Sequence, residues 1–204
     1  MAAFDELMAF TRETEALAQV AGRLGWDQET VMPRGAGAQR AEEMGAMEAV
    51  LHARRTDPRV ADWLAQAEAP DAAGAAQLRL IRRAHERAVR VPADLATALA
   101  RLTSRSQGVW AEARATDDFA AFAPVLTEVL ALKREEGAAL ADGGDVDDAL
   151  LDAFEPDARA TELQAMFDEI RQGVLRSRVQ ALDGAKRKAL RGPFHDDAQM
   201  RPAR

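Results

Sequence analysis

The chain has 204 residues and a mass of 22.1 kDa, long enough for one domain with its own core. Its formal net charge of −7 argues against a general nucleic-acid binder, which needs surplus basic residues to neutralise phosphates. Zero cysteines exclude disulfides and thiolate ligands and fit a reducing cytoplasm.

Aromatic residues make up only 5% of the chain and tyrosine is absent, while alanine, leucine, arginine and glutamate dominate; these are good helix formers. The opening Met1-Ala2-Ala3-Phe4-Asp5-Glu6 has neither a basic region nor a continuous apolar stretch, so no signal peptide is expected there. No apolar run approaches the ~20 residues of a membrane span. The expectation is a soluble, cytoplasmic protein that binds neither nucleic acid nor membrane.

Apolar residues recur at steps of three and four throughout, and alternation with period two is nowhere sustained, so an all-α array is expected. A first helix runs from about Phe4 to about Thr30, with Phe4, Leu7, Met8, Leu17, Val20 and Leu24 inward, and ends before Pro33, Gly35 and Gly37. A second reaches about Arg55, with Met44, Met47, Val50 and Leu51 inward. Asp57-Pro58 reads as an N-cap followed by a first-turn proline and opens a short helix containing Val60, Trp63 and Leu64. A fourth spans about Ala72 to Arg90, and Val91-Pro92 separates it from a fifth whose stripe is Leu95, Leu99, Leu102, Val109 and Trp110. Asp117 or Asp118 caps a sixth, with Phe119, Phe122, Leu126, Val129 and Leu130 inward and Pro124 in or near its first turn. After the Gly143-Gly144 loop comes a short helical segment at about Ala149 to Phe154. Thr161 starts the last long helix, with Leu163, Met166, Phe167, Ile170 and Val174 inward. Residues 1–182 are expected to form a single helical domain, and 183–204 a basic, poorly ordered tail carrying Lys186, Arg187, Lys188 and Arg191.

One stretch is not explained by helical periodicity: Leu24-Gly25-Trp26-Asp27-Gln28-Glu29-Thr30-Val31-Met32-Pro33-Arg34-Gly35. It resembles the N-terminal signature of the M32 zinc metallocarboxypeptidases, the carboxypeptidase Taq type. Further segments resemble the same family in the same order: Arg90-Val91-Pro92-Ala93-Asp94-Leu95, Trp110 to Arg114, Asp118 to Leu126, and Asp148 to Pro156. Asp147 stands where the family usually has Tyr, and Asp157 where it usually has Gly. The resemblance covers most of residues 1 to about 180. It implies an all-helical fold in which this part packs against a zinc-bearing half and helps wall the substrate groove. The reaction it implies is removal of single C-terminal residues from peptides, with zinc polarising the scissile carbonyl and activating water. The family's zinc motif, His-Glu-x-x-His, and its substrate-carboxylate residues lie beyond the matched segments. No position here is therefore assigned a catalytic, cofactor-binding or metal-binding role, and this chain alone is expected to be inactive and without zinc.

The residues that invite chemistry bear this out on their own terms. His85-Glu86-Arg87-Ala88-Val89 begins like the zinc motif but has valine at the second ligand position, so it reads as a partly exposed helical histidine. Glu48 and His52 share a helix face, and the expected reading is a surface pair at i,i+4. His195 lies in the tail. Gly35-Ala36-Gly37, with Arg34 and Arg40 nearby, reads as a turn rather than an anion cradle. Trp26 is expected to pack between helices, and Asp27 to bond a local amide or an arginine such as Arg40. Glu42-Glu43, Glu135-Glu136 and Asp147-Asp148 diverge by about 100° on a helix and make solvated faces, not acid/base pairs. Ser104, Ser106 and Ser177 lack a nucleophile elbow. The leading expectation is the N-terminal helical portion of an M32-like metallocarboxypeptidase that docks on a zinc-bearing half. The alternative is a stand-alone helical interaction module that forms a homo-oligomer, or an inactive remnant.

Overall fold

In the computed structural model, which describes residues 2–183, every described regular element is helical. The elements are α1 (Ala2–Thr30), a 3-10 turn (Arg34–Ala36), α2 (Gly37–Arg55), α3 (Pro58–Gln66), α4 (Ala72–Arg90), α5 (Ala93–Thr116), α6 (Phe119–Ala141), α7 (Val146–Leu151) and α8 (Ala160–Asp183). The chain divides into two units, Met1–Ala158 and Arg159–Arg204. The tail expected at 183–204 lies outside the described residues, apart from Asp183 at the end of α8.

The helix starts follow local chemistry. Asp57 accepts the backbone N–H of Arg59 at 2.9 Å, Asp71 that of Gly74 at 2.7 Å, and Asp118 that of Ala121 at 3.1 Å. Each carboxylate satisfies a donor that the first helical turn leaves without a partner. Of the two candidate caps for α6, Asp118 is the cap, while Asp117 ends α5 in the left-handed region at φ 55°. The short helix expected at Ala149–Phe154 instead runs Val146–Leu151, because Asp145 caps it by accepting the N–H of Asp148 at 2.8 Å. Gly137 lets α7 lie close on α6, since a Cβ there would sit 2.7 Å from Val146 Cγ1.

Within residues 1–158, a first core gathers Leu7 of α1 with Val60 and Leu64 of α3, and Met8, Phe10, Trp63, Leu78 and Ile81 pack around it. The Phe10 and Trp63 rings meet at 5.4 Å, and the Arg54 guanidinium lies 4.1 Å over the Phe10 ring. A second packing surface joins α2 to α5, where Ala41 and Leu51 are buried on one helix and Leu99 and Leu102 on the other. Not every residue on the expected stripes is covered. Val20, Val50, Trp110, Phe119 and Leu130 are exposed. Period counting picks out an apolar face but not whether a neighbour lies against it.

Several helix C-termini are closed by donors from other helices. His85 Nδ1 bonds the Arg55 carbonyl at the end of α2, and His52 Nε2 bonds the Val91 carbonyl just past α4, each at 2.7 Å. Arg82 reaches the Leu64 carbonyl near the end of α3 at 2.9 Å, and Arg90 the Leu140 carbonyl near the end of α6 at 3.2 Å. These carbonyls carry the negative end of the helix dipole and have no partner inside their own helix, so side-chain donors suit them, and the guanidinium cations of Arg82 and Arg90 suit them best.

Asp57 gives the sharpest test of this capping chemistry. The Arg59 side chain, helped by the Arg59 backbone N–H, holds its carboxyl down from the usual 3.8 to about 2. A carboxyl depressed on folding stabilises above its unfolded value and loses that contribution as pH falls through its folded value. Asp57→Ala should therefore cost about 1 kcal/mol at pH 7. The gap between mutant and parent in urea melts should close as pH falls from about 4 to about 2.

Candidate groove on the helical unit

The stretch that periodicity left unexplained lies where α1 meets α2 and α5. Arg40, buried on α2, places Nη2 at 2.5 Å from Asp27 Oδ2 and Nε at 2.9 Å from Glu43 Oε2, and its Nη1 donates to the Leu24 carbonyl. The Asp27 partner is the one the sequence suggested. Bonding to these two carboxylates raises the Arg40 pKa further, against the opposing effect of burial. The next residue ties α1 to α5: Gln28 Nε2 donates to the Ser104 carbonyl at 2.7 Å, and Ser104 Oγ donates to Gln28 Oε1 at 2.8 Å. A single side-chain amide thus has both its ends read by one residue 76 positions away.

These ties set one wall of an open groove of about 830 Å³ whose lining residues all fall within 1–158. Gly25 and Gln28 face it from α1, Met44, Glu48 and His52 from α2, and Lys133, Glu136 and Leu140 from α6. From α4 come Leu80, Ala84 and Ala88, and from α5 Ala96, Ala100 and Ser104. At one end Arg83 and Arg87, one turn apart on α4, both reach Asp152 Oδ2 at 2.7 Å, and Arg83 also donates to the Asp152 carbonyl at 2.9 Å. Burial works to raise the Asp152 pKa, but the Asp157 N–H and Arg83 outweigh it and the carboxyl is held below its ordinary range. Asp157 occupies the left-handed region at φ 68°, a conformation that glycine adopts without steric cost.

The other sequence candidates resolve as follows. Glu48 and His52 share a groove face, but His52 is buried rather than on the surface, because its ring must reach the Val91 carbonyl. Burial raises the Glu48 pKa, with Arg55 at 3.5 Å and His52 opposing the rise. Trp26 is 64% exposed and does not pack between helices. It lies about 200° around α1 from both Leu24 and Gln28, the residues turned inward. His85 is half-buried and spends Nδ1 on the Arg55 carbonyl, while its neighbour Glu86 is exposed. Gly35 lies within the 3-10 turn and Gly37 follows it, and Arg40 points to Asp27 rather than toward an anion there. Glu42 pairs with Arg101 at 3.0 Å and Glu43 with Arg40, so those neighbours diverge as expected. Ser104 is buried and held by Gln28, Ser106 Oγ donates to the Thr103 carbonyl, and Ser177 is exposed on α8. His195 and the Lys186–Arg191 run lie outside the described residues. Sequence reasoning missed the Gln28–Ser104 pair and the Arg83–Arg87–Asp152 clamp. The only sequence signal for the clamp was two arginines at i,i+4 on one helix.

Among the described residues, no three His, Asp or Glu side chains come together as a metal site. The donors present do not fit a zinc ion: His52 and His85 each hold a backbone carbonyl, and Glu48 faces Arg55. No helix among the described residues is long and apolar enough to cross a membrane.

Residues 6–204 match the family described as carboxypeptidase Taq (M32) metallopeptidase. Thermostable carboxypeptidase 1 of Thermus thermophilus is 37% identical over 98% of this chain and 43% of its own length. Metallocarboxypeptidase 1 of Trypanosoma cruzi superposes with a TM-score of 0.71 at 28% identity, covering 96% of this chain and 41% of that structure. The crystal structure of BsuCP shares the fold, with a TM-score of 0.77 at 20% identity over 84% of this chain and 35% of that one. The chain spans less than half the length of the curated relatives it matches.

If the Gln28–Ser104 pair joins α1 to α5, Gln28→Ala and Ser104→Ala should each destabilise the fold. A double-mutant cycle should return a coupling of about 1 kcal/mol from chemical denaturation. A coupling indistinguishable from zero would mean that the two residues do not act as a unit.

Proposed function

The chain belongs to the carboxypeptidase Taq (M32) metallopeptidase family, and on that premise we propose that it supplies the N-terminal helical scaffold of a metallocarboxypeptidase that removes single C-terminal residues from peptides. The observation that carries this reading is the match over residues 6–204 to a family whose curated relatives are more than twice as long, joined to an open groove walled by the matched helices. The signature residues serve architecture in this reading: Asp27 and Gln28 hold the groove wall through Arg40 and Ser104. Zinc chemistry then belongs to residues outside this chain, and no catalytic step is assigned to the residues described. A cytoplasmic location, and association with a zinc-bearing part, belong to the same proposal.

The test is metal analysis and a carboxypeptidase assay on the purified 204-residue chain. Expected are far less than one zinc per chain and no release of C-terminal amino acids from a peptide. One tightly held zinc per chain together with such release would overturn the assignment and would place a metal site among His52, His85 and His195.

A further inference from the structure

A second cavity, of about 270 Å³, is lined by α1, α2, α3 and α4. Its apolar walls include Val60 of α3 and Leu80, Ile81 and Ala84 of α4. At about 30 Å³ for each water-sized group, it takes about nine non-hydrogen atoms. Pockets that hold small molecules are built this way, with apolar walls and a few polar groups that fix orientation.

The polar groups on this cavity fall into two sets. One set is spent on the fold. Arg54 donates Nε to Thr14 Oγ1 at 2.9 Å and Nη2 to the Phe10 carbonyl at 3.0 Å, and Thr14 Oγ1 donates to that same carbonyl at 3.0 Å. The other set is not. Glu15, exposed on α1, has no hydrogen bond or ion pair with any described residue. Arg55 reaches Glu48 through Nη1 at 3.5 Å and keeps most of its guanidinium N–H donors. His85 Nδ1 lies 2.7 Å from the Arg55 carbonyl. A carbonyl only accepts, so Nδ1 carries the proton, and in the neutral ring Nε2 is left as an acceptor with no partner among the described residues. Glu15 and Arg55 also line the groove, so they sit where cavity and groove adjoin, and they do not pair with each other.

The unspent groups are thus one anion, one cation and one neutral acceptor over apolar walls, the complement of a zwitterion with an apolar side chain. An alkyl carboxylate would be repelled by Glu15, and an alkylammonium by Arg55. We propose that this cavity binds a free apolar α-amino acid of about leucine's size. Glu15 and His85 Nε2 accept from its ammonium, Arg55 donates to its carboxylate, and Val60, Leu80 and Ile81 enclose its side chain. Free amino acids are also what the reaction proposed above releases, so occupancy would follow product, but the binding needs no such reading of the chain.

The test is calorimetric titration of L-leucine into the full 204-residue chain. Saturable binding is expected, at one leucine per chain. Glu15→Gln and Arg55→Gln should each weaken it about tenfold, as loss of a hydrogen bond to a charged group would. Glu86→Gln, which alters an exposed carboxylate outside the cavity, should bind like the parent. Isoamylamine and isocaproate, each leucine without one of its charged groups, should bind at least about tenfold more weakly than leucine. Melting of the three variants should match the parent, since Arg55 to Glu48 at 3.5 Å is the only ion pair among the described residues that any of them removes. No saturable binding at millimolar leucine, or unchanged binding by Glu15→Gln and Arg55→Gln, would overturn the site. Isoamylamine or isocaproate binding as tightly as leucine would overturn the amino-acid assignment. Each of these failures leaves the family reading in place, because neither zinc content nor peptide cleavage enters the measurement.

Discussion

The buried guanidinium of Arg40 is the constraint on which the arrangement of α1, α2 and the groove depends. A buried cation is tolerated only when its charge is matched and its donors are satisfied. Arg40 meets both conditions by drawing together Asp27, the Leu24 carbonyl and Glu43 from two helices that the chain separates with Pro33 and a 3-10 turn. A lysine could not take its place, because a single ammonium lacks the planar fork that reaches three acceptors in different directions. With α1 fixed at Leu24 and Asp27, the next inward residue, Gln28, meets Ser104, and the end of α1 becomes a groove wall rather than a frayed terminus.

The same economy of donors runs through the rest of the unit. Among the described residues the fully buried apolar side chains are few, with Leu7 the only large one. Long polar side chains carry much of the inter-helix connectivity instead. Arg54 stacks on Phe10 and bonds its carbonyl, Arg82 and Arg90 close the ends of α3 and α6, and two histidines close the ends of α2 and α4. This explains a composition rich in arginine and poor in aromatics. It also explains why His52 and His85, the obvious candidates for metal ligands, have another use.

Much of this was legible in the sequence because its causes are local. Helix class follows from spacing, the breaks from Pro33, Pro58 and Pro92, and the starts from Asp57 and Asp118, each acting within three residues of its own position. The Asp27–Arg40 bond could be anticipated because both residues flank one turn. What could not be read depends on partners far along the chain. The burial of His52 is set by a carbonyl 39 residues away, and the role of Ser104 by a glutamine 76 residues away. Trp26 illustrates the opposite error: an aromatic residue invites a packing role, yet its angle around α1 points it to solvent. The early cap at Asp145 was missed because aspartate follows aspartate through Asp147 and Asp148, and local sequence favours none of them.

The scaffold role proposed here requires a catalytic part beside it. The most direct measurement is the mass of the native product in its source cell, detected with an antibody against residues 1–60. Expected is a species well above twice 22.1 kDa, or a 22.1 kDa chain that co-purifies with a zinc-bearing polypeptide. A 22.1 kDa product that runs alone, with no such companion, would contradict it.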